Sequence, residues 1–251
     1  MSRWAILALV TAAHGLGALS VLAVAPLAPF LLDDLHLSRA QVGWFLPAVY
    51  LGGVLMALPA GWLTDRLGVR ATLALGQLVI GVGVVLASLG ASLTACLVCL
   101  VLGGFGFSVL NPSTGKAVVE WFPPRRRGVA MGIKQTGLTL GGLAAALALP
   151  PLAAASSWRH ALGAAGVLSL VSAGLVMLVY RSPALTPVTP AVARVRLGEL
   201  GVFLRRPGVL LVFASGLCLS VAQSSVLAYL ALYARETLVV SAVVAGQVLA
   251  L

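Results

Sequence analysis

The chain has 251 residues, of which 61% are hydrophobic and only 9% are charged, and its mean hydropathy is +1.09. This composition excludes an ordinary soluble domain, and several apolar runs exceed eighteen residues, long enough to cross a bilayer as helices. The net charge of +10 falls mostly in the loops between these runs, a distribution that argues for membrane topology and against nucleic-acid binding. The prediction is an all-α polytopic membrane protein.

Six apolar segments separated by short polar turns occupy the first 180 residues. Pro26 and Pro29 predict a kink near the end of the first segment, because proline removes a backbone donor. Ser38 followed by Gln41 has the spacing of a capping box and predicts the start of the second helix. The predicted spans, which together form a six-helix half over 1–180, are about 4–32, 40–63, 71–90, 93–119, 128–154 and 158–180.

Residues 181–207 contain four prolines and five arginines and predict the one long polar connector. A seventh span is predicted at 208–233 and an eighth from about 241. Eleven residues rise only about 16 Å as a helix, half of a bilayer core. We therefore expect 208–251 to be an incomplete second half, with the chain ending inside a membrane helix.

The arginines predict the orientation of the chain in the membrane. Assigning alternate loops to opposite sides gives eleven arginines on one side and three on the other. Because cytoplasmic loops are rich in Lys and Arg, this count places the N-terminus and the connector in the cytoplasm. We expect a multi-pass protein of the bacterial inner membrane. The three on the outer side are Arg39, Arg159 and Arg235.

A weak internal repeat appears when the sequence is shifted by 203 positions. The shift brings span seven onto span one and pairs Asp33 with Glu236, Ser38 with Ser241, and Gly43 with Gly246. Six spans, a basic connector and a second copy of the first spans are typical of a transporter built from two parallel halves. Chance identity is the alternative explanation.

A charged loop bounded by glycines, GWLTDRLGVR at residues 61–70, follows the second span. Gly61 is predicted to let two helices approach closely, and Gly68 to supply the backbone freedom of a tight reversal. Any short loop between membrane spans also needs a turn and some charge, so spacing alone leaves an ordinary loop open.

This loop resembles the G-x-L-x-D-R-x-G-x-R loop between the second and third helices of the major facilitator superfamily. Arg127-Gly128 followed by Gly132 is similar to that family's entry into its fifth helix. The resemblance extends from end to end of the chain, as the first seven and a half of twelve expected helices. It implies a secondary active transporter with its substrate near the bilayer midplane, between two six-helix halves.

Our hypothesis for the loop is a gate, formed by Gly61, Asp65, Arg66, Gly68 and Arg70. Asp65 is expected to accept hydrogen bonds from a neighbouring helix N-terminus, while Arg66 and Arg70 pair across the cytoplasmic helix ends. In the family, the counterpart of Asp65 contacts a helix of the second half.

Two departures from the family pattern disfavour a drug–proton antiporter. Cys99 or Leu100 stands where many members have an arginine in the fourth helix, and residues 137–142 lack the proline of the antiporter signature. Residues 111–116 and 132–137 are loosely similar to transporters of small anions such as cyanate or nitrate.

The candidate substrate-binding residues are polar groups inside predicted spans. Lys116 and Lys134 are intramembrane cations, which are costly in lipid and therefore functional candidates. Together they would attract a carboxylate, a small inorganic anion or a phosphate ester. Alternatively, either lysine snorkels to the headgroups, or Lys116 pairs with Glu120 at i+4. The full set is Asn111, Lys116, Lys134, Gln135, Gln223 and Tyr229.

Three readings follow from these residues. The first is a secondary transporter of a small solute, an organic or inorganic anion. Its expected partners are the lipid bilayer and a co-transported proton or ion, and it is expected to be monomeric at full length. No cofactor, metal or nucleic acid is expected. The second is a truncated product without activity of its own. A third is an efflux transporter of a neutral or cationic compound; no catalytic constellation indicates an enzyme.

Overall fold

The computed structural model describes residues 2–182, 205–237 and 240–247. All of its regular elements in these ranges are helices. We number them α1 (Arg3–Leu22), α2 (Val24–Asp34), α3 (Arg39–Val42), α4 (Phe45–Leu89), α5 (Leu93–Trp121), α6 (Pro124–Ala155), α7 (Trp158–Val179), α8 (Pro207–Thr237) and α9 (Ala242–Gln247).

The predicted all-α polytopic membrane fold is confirmed. Six helical segments of the described chain are long and apolar enough to cross a bilayer. The predicted capping box is also present, since Ser38 accepts from the backbone of Gln41 and the Gln41 side chain accepts from the backbone of Ser38. The six segments are 3–34, 39–89, 93–121, 124–155, 158–179 and 207–226.

The structure changes two of the predicted spans. The first span is broken at Ala23 into α1 and α2, three residues before Pro26, which cannot donate a hydrogen bond to the turn before it. The fifth begins at Pro124, not at Gly128, because proline is well suited to the first turn of a helix. The predicted connector falls largely at 183–204, outside the described residues.

The second and third predicted spans are the two arms of α4, which are joined at Gly68, where the backbone leaves helical geometry with φ 76° and ψ 169°. The chain reverses there. The Thr72 hydroxyl donates to the Leu63 carbonyl over 3.3 Å, whereas nine residues of straight helix would separate the two by about 13 Å. The predicted reversal at Gly68 is thus confirmed, and it folds the two arms of α4 side by side.

Glycines set the spacing between neighbouring helices. A Cβ added to Gly106 of α5 would lie 2.7 Å from the backbone nitrogen of Ile80 in α4. One added to Gly15 of α1 would lie 2.9 Å from the Gly137 carbonyl oxygen of α6. Such contacts leave no room for a side chain, so these backbones touch directly, as small residues allow in membrane bundles.

α8 meets the first six spans only near its C-terminal end. The apolar window at 207–226 contains no buried residue, whereas Leu232 and Ala234 are buried. Near that end the Tyr229 hydroxyl lies against Gly43, and Gly246 of α9 packs against the Pro26 carbonyl oxygen. The offset of 203 residues that relates Gly43 to Gly246 also relates Pro26 to Tyr229. The two contacts are therefore pseudo-symmetric copies of each other.

Candidate functional site

The loop at 61–70 lies at one end of the bundle, which we call the motif end. The Asp65 carboxylate there accepts a hydrogen bond of 2.9 Å from the Lys116 ammonium of α5, which also donates to the Thr64 carbonyl over 3.2 Å. Lys116 therefore joins α5 to the loop. Among the described residues, Lys116 pairs with Asp65 and not with Glu120, and Asp65 bonds this lysine and not the expected helix N-terminus.

The two arginines of the loop have different partners. Arg70 donates from Nε to the Met177 carbonyl over 2.8 Å, near the C-terminal end of α7, where helix carbonyls lack intrahelical donors. The Arg66 guanidinium lies 5.1 Å from the ring centroid of Trp62 in its own helix. Only Arg70 makes the predicted contact across helix ends; the expectation for Arg66 does not hold in this structure.

The two glycines of the loop also differ. Gly68 has a positive φ and so uses the conformational freedom of glycine. Apart from the backbone of its own helical turns and its chain neighbours, no described atom lies within 4 Å of the place where a Gly61 Cβ would stand. The expected close helix approach at Gly61 is therefore wrong for the contacts that the structure describes.

A second polar cluster lies in the interior, between α5 and α6. Lys134 of α6 is only 3% exposed, and its ammonium donates to the Asn111 side-chain oxygen of α5 over 2.5 Å. Asn111 itself is exposed, so the pair lies at the edge of an open surface of the bundle. Two of the predicted substrate-binding residues are thus in contact.

This pair lies about a third of the way along both helices, counted from the motif end. Asn111 is ten residues before the end of α5, and Lys134 is ten residues after the start of α6. Ten helical residues rise about 15 Å, half the thickness of a bilayer core. A lysine at that depth cannot easily reach the headgroups, and Lys134 is buried against protein instead.

His14 of α1 belongs to the same layer, although the sequence did not single it out. It is eleven residues into α1, a rise of about 16 Å, and only 3% exposed. Its ring lies 6.3 Å from that of Phe107, one turn before Asn111 on α5. The sequence signal that could have identified His14 is a lone histidine within an otherwise apolar span.

The remaining candidates do not join this cluster in the described residues. Lys116 is bound to Asp65, Gln135 and Gln223 are exposed, and Tyr229 contacts Gly43. Their roles in substrate binding stay predictions.

Carboxylates lie at the two ends of the bundle. Asp65 pairs with Lys116 at the motif end, and at the opposite end Asp33 pairs with Arg235 over 2.7 Å. No carboxylate among the described residues pairs with Lys134. The other ion pairs are Arg159–Asp34 at 3.4 Å and Arg39–Glu236 at 2.8 Å.

Comparisons with known proteins agree with this layout. The chain is 32% identical over 185 residues to the galacturonate transporter of Dickeya chrysanthemi, covering 72% of this chain and 52% of that protein. It is 30% identical over 185 residues to the hexuronate transporter of Escherichia coli K12, covering 72% of this chain and 42% of that protein. The chain thus spans about half the length of the curated relatives it matches. The loose similarity to cyanate and nitrate transporters stays a prediction.

The fold itself matches solved structures. A bacterial homologue of the human lysosomal transporter Spinster, in an inward-facing and unoccupied conformation, superimposes with a TM-score of 0.83 at 20% identity, covering 98% of this chain and 58% of that one. The sequence model of the Major Facilitator Superfamily matches residues 7–251. With the loop at 61–70 in its expected place, the chain belongs to the Major Facilitator Superfamily.

Proposed function

We propose that this protein is a secondary transporter that moves a small organic anion by alternating access, and that Lys134 and Asn111 form part of its substrate site. The observation that carries the proposal is a buried lysine with no carboxylate partner among the described residues. A buried cation is costly unless it is paired. An anionic substrate would supply the missing charge.

The depth of the pair supports a substrate site. Transporters of this architecture bind their substrates near the bilayer midplane, and ionisable residues there commonly mark the pathway. The names of the two relatives indicate uronates, which are small organic anions. A neutral or cationic substrate is less favoured, because it would leave the Lys134 charge unneutralised.

The proposal extends to the protein's place in the cell. Arg3, Arg66, Arg70 and the run 125–127 lie near the motif end, and the positive-inside rule would place that end in the cytoplasm of a bacterial cell. The proposal also includes coupling of transport to a proton or another ion, and a monomeric transporter. These parts rest on charge distribution and architecture.

The test compares Lys134→Gln with Lys134→Arg in purified protein, using galacturonate binding and uptake into proteoliposomes as readouts. Removing a charged hydrogen-bond donor should weaken binding by roughly 10- to 100-fold, whereas arginine should retain part of it because it keeps the charge. Circular dichroism and thermal unfolding check that both variants fold. Equal galacturonate affinity in wild type and Lys134→Gln would refute the assignment.

A further inference from the structure

Two polar side chains on α1 lack the partners that buried groups normally have. The Thr11 hydroxyl oxygen and the His14 Nδ1 atom are both buried, and neither makes a hydrogen bond within the described part of the chain. Unpaired buried polar atoms are uncommon, and each one requires a physical explanation.

Other buried hydroxyls in this bundle show that a local solution exists. Ser20 donates to the Leu16 carbonyl over 3.0 Å, Thr64 to that of Ala60 over 2.8 Å, and Thr114 to that of Leu110 over 2.6 Å. Each hydroxyl bonds the backbone four residues earlier. Thr11 is in a helix and has the same option, but its hydroxyl does not take it.

Both unpaired atoms belong to the layer that contains Lys134. The Thr11 methyl group would lie 3.2 Å from a Cβ on Gly137, which is one turn beyond Lys134 along α6. His14, one turn beyond Thr11, contacts the ring of Phe107, which is one turn before Asn111 along α5. Residues three or four apart share a helix face, so Thr11 and His14 face the same junction of α1, α5 and α6 as the Lys134–Asn111 pair.

Gln77 is also incompletely paired but has a structural explanation. Its side-chain nitrogen donates to the Ala13 carbonyl, tying the second arm of α4 to α1. Thr11 and His14 make no such bond between helices in the described residues. Their unpaired atoms therefore fit a ligand better than they fit a packing role.

We infer that Thr11 and His14 form a hydroxyl-binding subsite beside Lys134, and that the transported anion is a carboxylate bearing several hydroxyl groups. This inference rests on the proposed function and assigns the two ends of the substrate. Lys134 and Asn111 take the carboxylate end. An imidazole nitrogen and a threonine hydroxyl can each form a hydrogen bond with an alcohol group.

The experiment uses three ring compounds of similar size as probes of purified protein in detergent. D-galacturonate carries both a carboxylate and hydroxyls, cyclohexanecarboxylate carries only the carboxylate, and D-galactose carries only the hydroxyls. The ratio of the first two affinities measures hydroxyl recognition, and the ratio of the first to the third measures carboxylate recognition.

Thr11→Val is the main variant, because valine has the shape of threonine and keeps the methyl contact with Gly137. His14→Leu removes the imidazole, and Thr11→Ser and His14→Asn serve as conservative controls that keep a polar group near the same place. Loss of one neutral hydrogen bond in a buried site corresponds to about a tenfold change. We expect Thr11→Val and His14→Leu each to lower the hydroxyl ratio, galacturonate over cyclohexanecarboxylate, about tenfold. The carboxylate ratio, galacturonate over galactose, should stay unchanged. The conservative controls should retain most of the hydroxyl ratio.

The results separate the inference from the proposed function. If Thr11→Val and His14→Leu keep the wild-type hydroxyl ratio while Lys134→Gln abolishes the carboxylate ratio, the subsite is wrong and anion transport stands. If wild-type protein shows no preference for galacturonate over galactose, the anion proposal fails and the subsite falls with it. If His14→Leu does not fold, Thr11→Val decides alone.

Discussion

The Lys116 ammonium donates to the Asp65 carboxylate over 2.9 Å and ties α5 to the loop at 61–70. Side-chain exposures of 30% for Lys116 and 75% for Asp65 place the pair at the surface of the motif end. The pair joins two elements of the same six-helix half. In this structure Lys116 thus belongs with the loop at 61–70, whereas Lys134 is buried between helices.

A double-mutant cycle tests this link. Because the pair is exposed, Asp65→Asn and Lys116→Gln should couple by only about 0.5 kcal/mol in unfolding free energy. If the loop is a gate, each single variant should also raise the reactivity of cysteines introduced at the motif end, and the double variant should raise it no further than the singles.

The matched control combines Lys116→Gln with Arg66→Gln, because Arg66 stacks on Trp62 and not on α5. This combination should be additive. Additive effects of Asp65→Asn and Lys116→Gln would show that the ion pair has no energetic role, and unchanged cysteine reactivity would contradict the gate.

Two crossed ion pairs join the first half to α8 at the opposite end. Arg235 donates to the Asp33 carboxylate over 2.7 Å and to the Pro29 carbonyl over 3.1 Å. Arg39 forms a fork with Glu236, through distances of 3.0 and 2.8 Å. We predict that Arg235→Asp, which places two acidic groups together, separates α8 from α2, and that adding Asp33→Arg restores the contact.

The distance between spin labels at His36 and Thr237, in protein whose native cysteines have been replaced, measures this separation. Because the pairs are partly exposed, 1 M salt should shift wild-type protein part of the way toward the single variant. Arg3→Asp, with the same change of charge at the start of α1, should leave the label distance unchanged. If the protein that carries both Arg235→Asp and Asp33→Arg shows a label distance as long as that of Arg235→Asp alone, the prediction is contradicted.

Two glycine substitutions in the loop test whether a position requires glycine for its backbone angles or only for the space around it. Gly68 has φ 76° and ψ 169°, a region that is essentially restricted to glycine, so Gly68→Ala should cost about 1–3 kcal/mol of unfolding free energy. Gly61 is helical with open space around its Cβ position, so Gly61→Ala should be neutral or stabilising by up to about 1 kcal/mol. Unfolding in mixed detergent micelles measures both, and equal effects would rule out the backbone explanation.

Much of the architecture was predictable because it depends on local pattern. Long apolar runs specify spanning helices because the bilayer offers no hydrogen-bond partners to the backbone. The capping pair Ser38 and Gln41 marks the start of a helix within four residues. The reversal at Gly68 follows from the same kind of signal, a glycine between charged residues in a short loop. Helix bounds were less certain, as the fifth span shows, because Pro124 to Arg127 suit either a loop or a first helical turn.

The partners of the charged side chains were not predictable in the same way. Lys116 and Lys134 look alike in the sequence, each a lysine within or beside a polar patch of an apolar run. Their roles differ because Lys116 meets Asp65, 51 residues earlier, whereas Lys134 meets Asn111, 23 residues earlier. Such pairings depend on which helices are adjacent and on how each is rotated, and spacing along one helix carries no information about either.

The sequence by itself determined the class of this protein, its membrane helices, its family and the loop that marks the family, because hydrophobicity, caps and turns act over a few residues. Only the tertiary structure decided that Lys134 bonds Asn111 and that Thr11 and His14 of α1 lie beside the neighbouring turns of α6 and α5. The three helices are placed in this way because close contacts such as that between Gly15 and Gly137 fix how they cross.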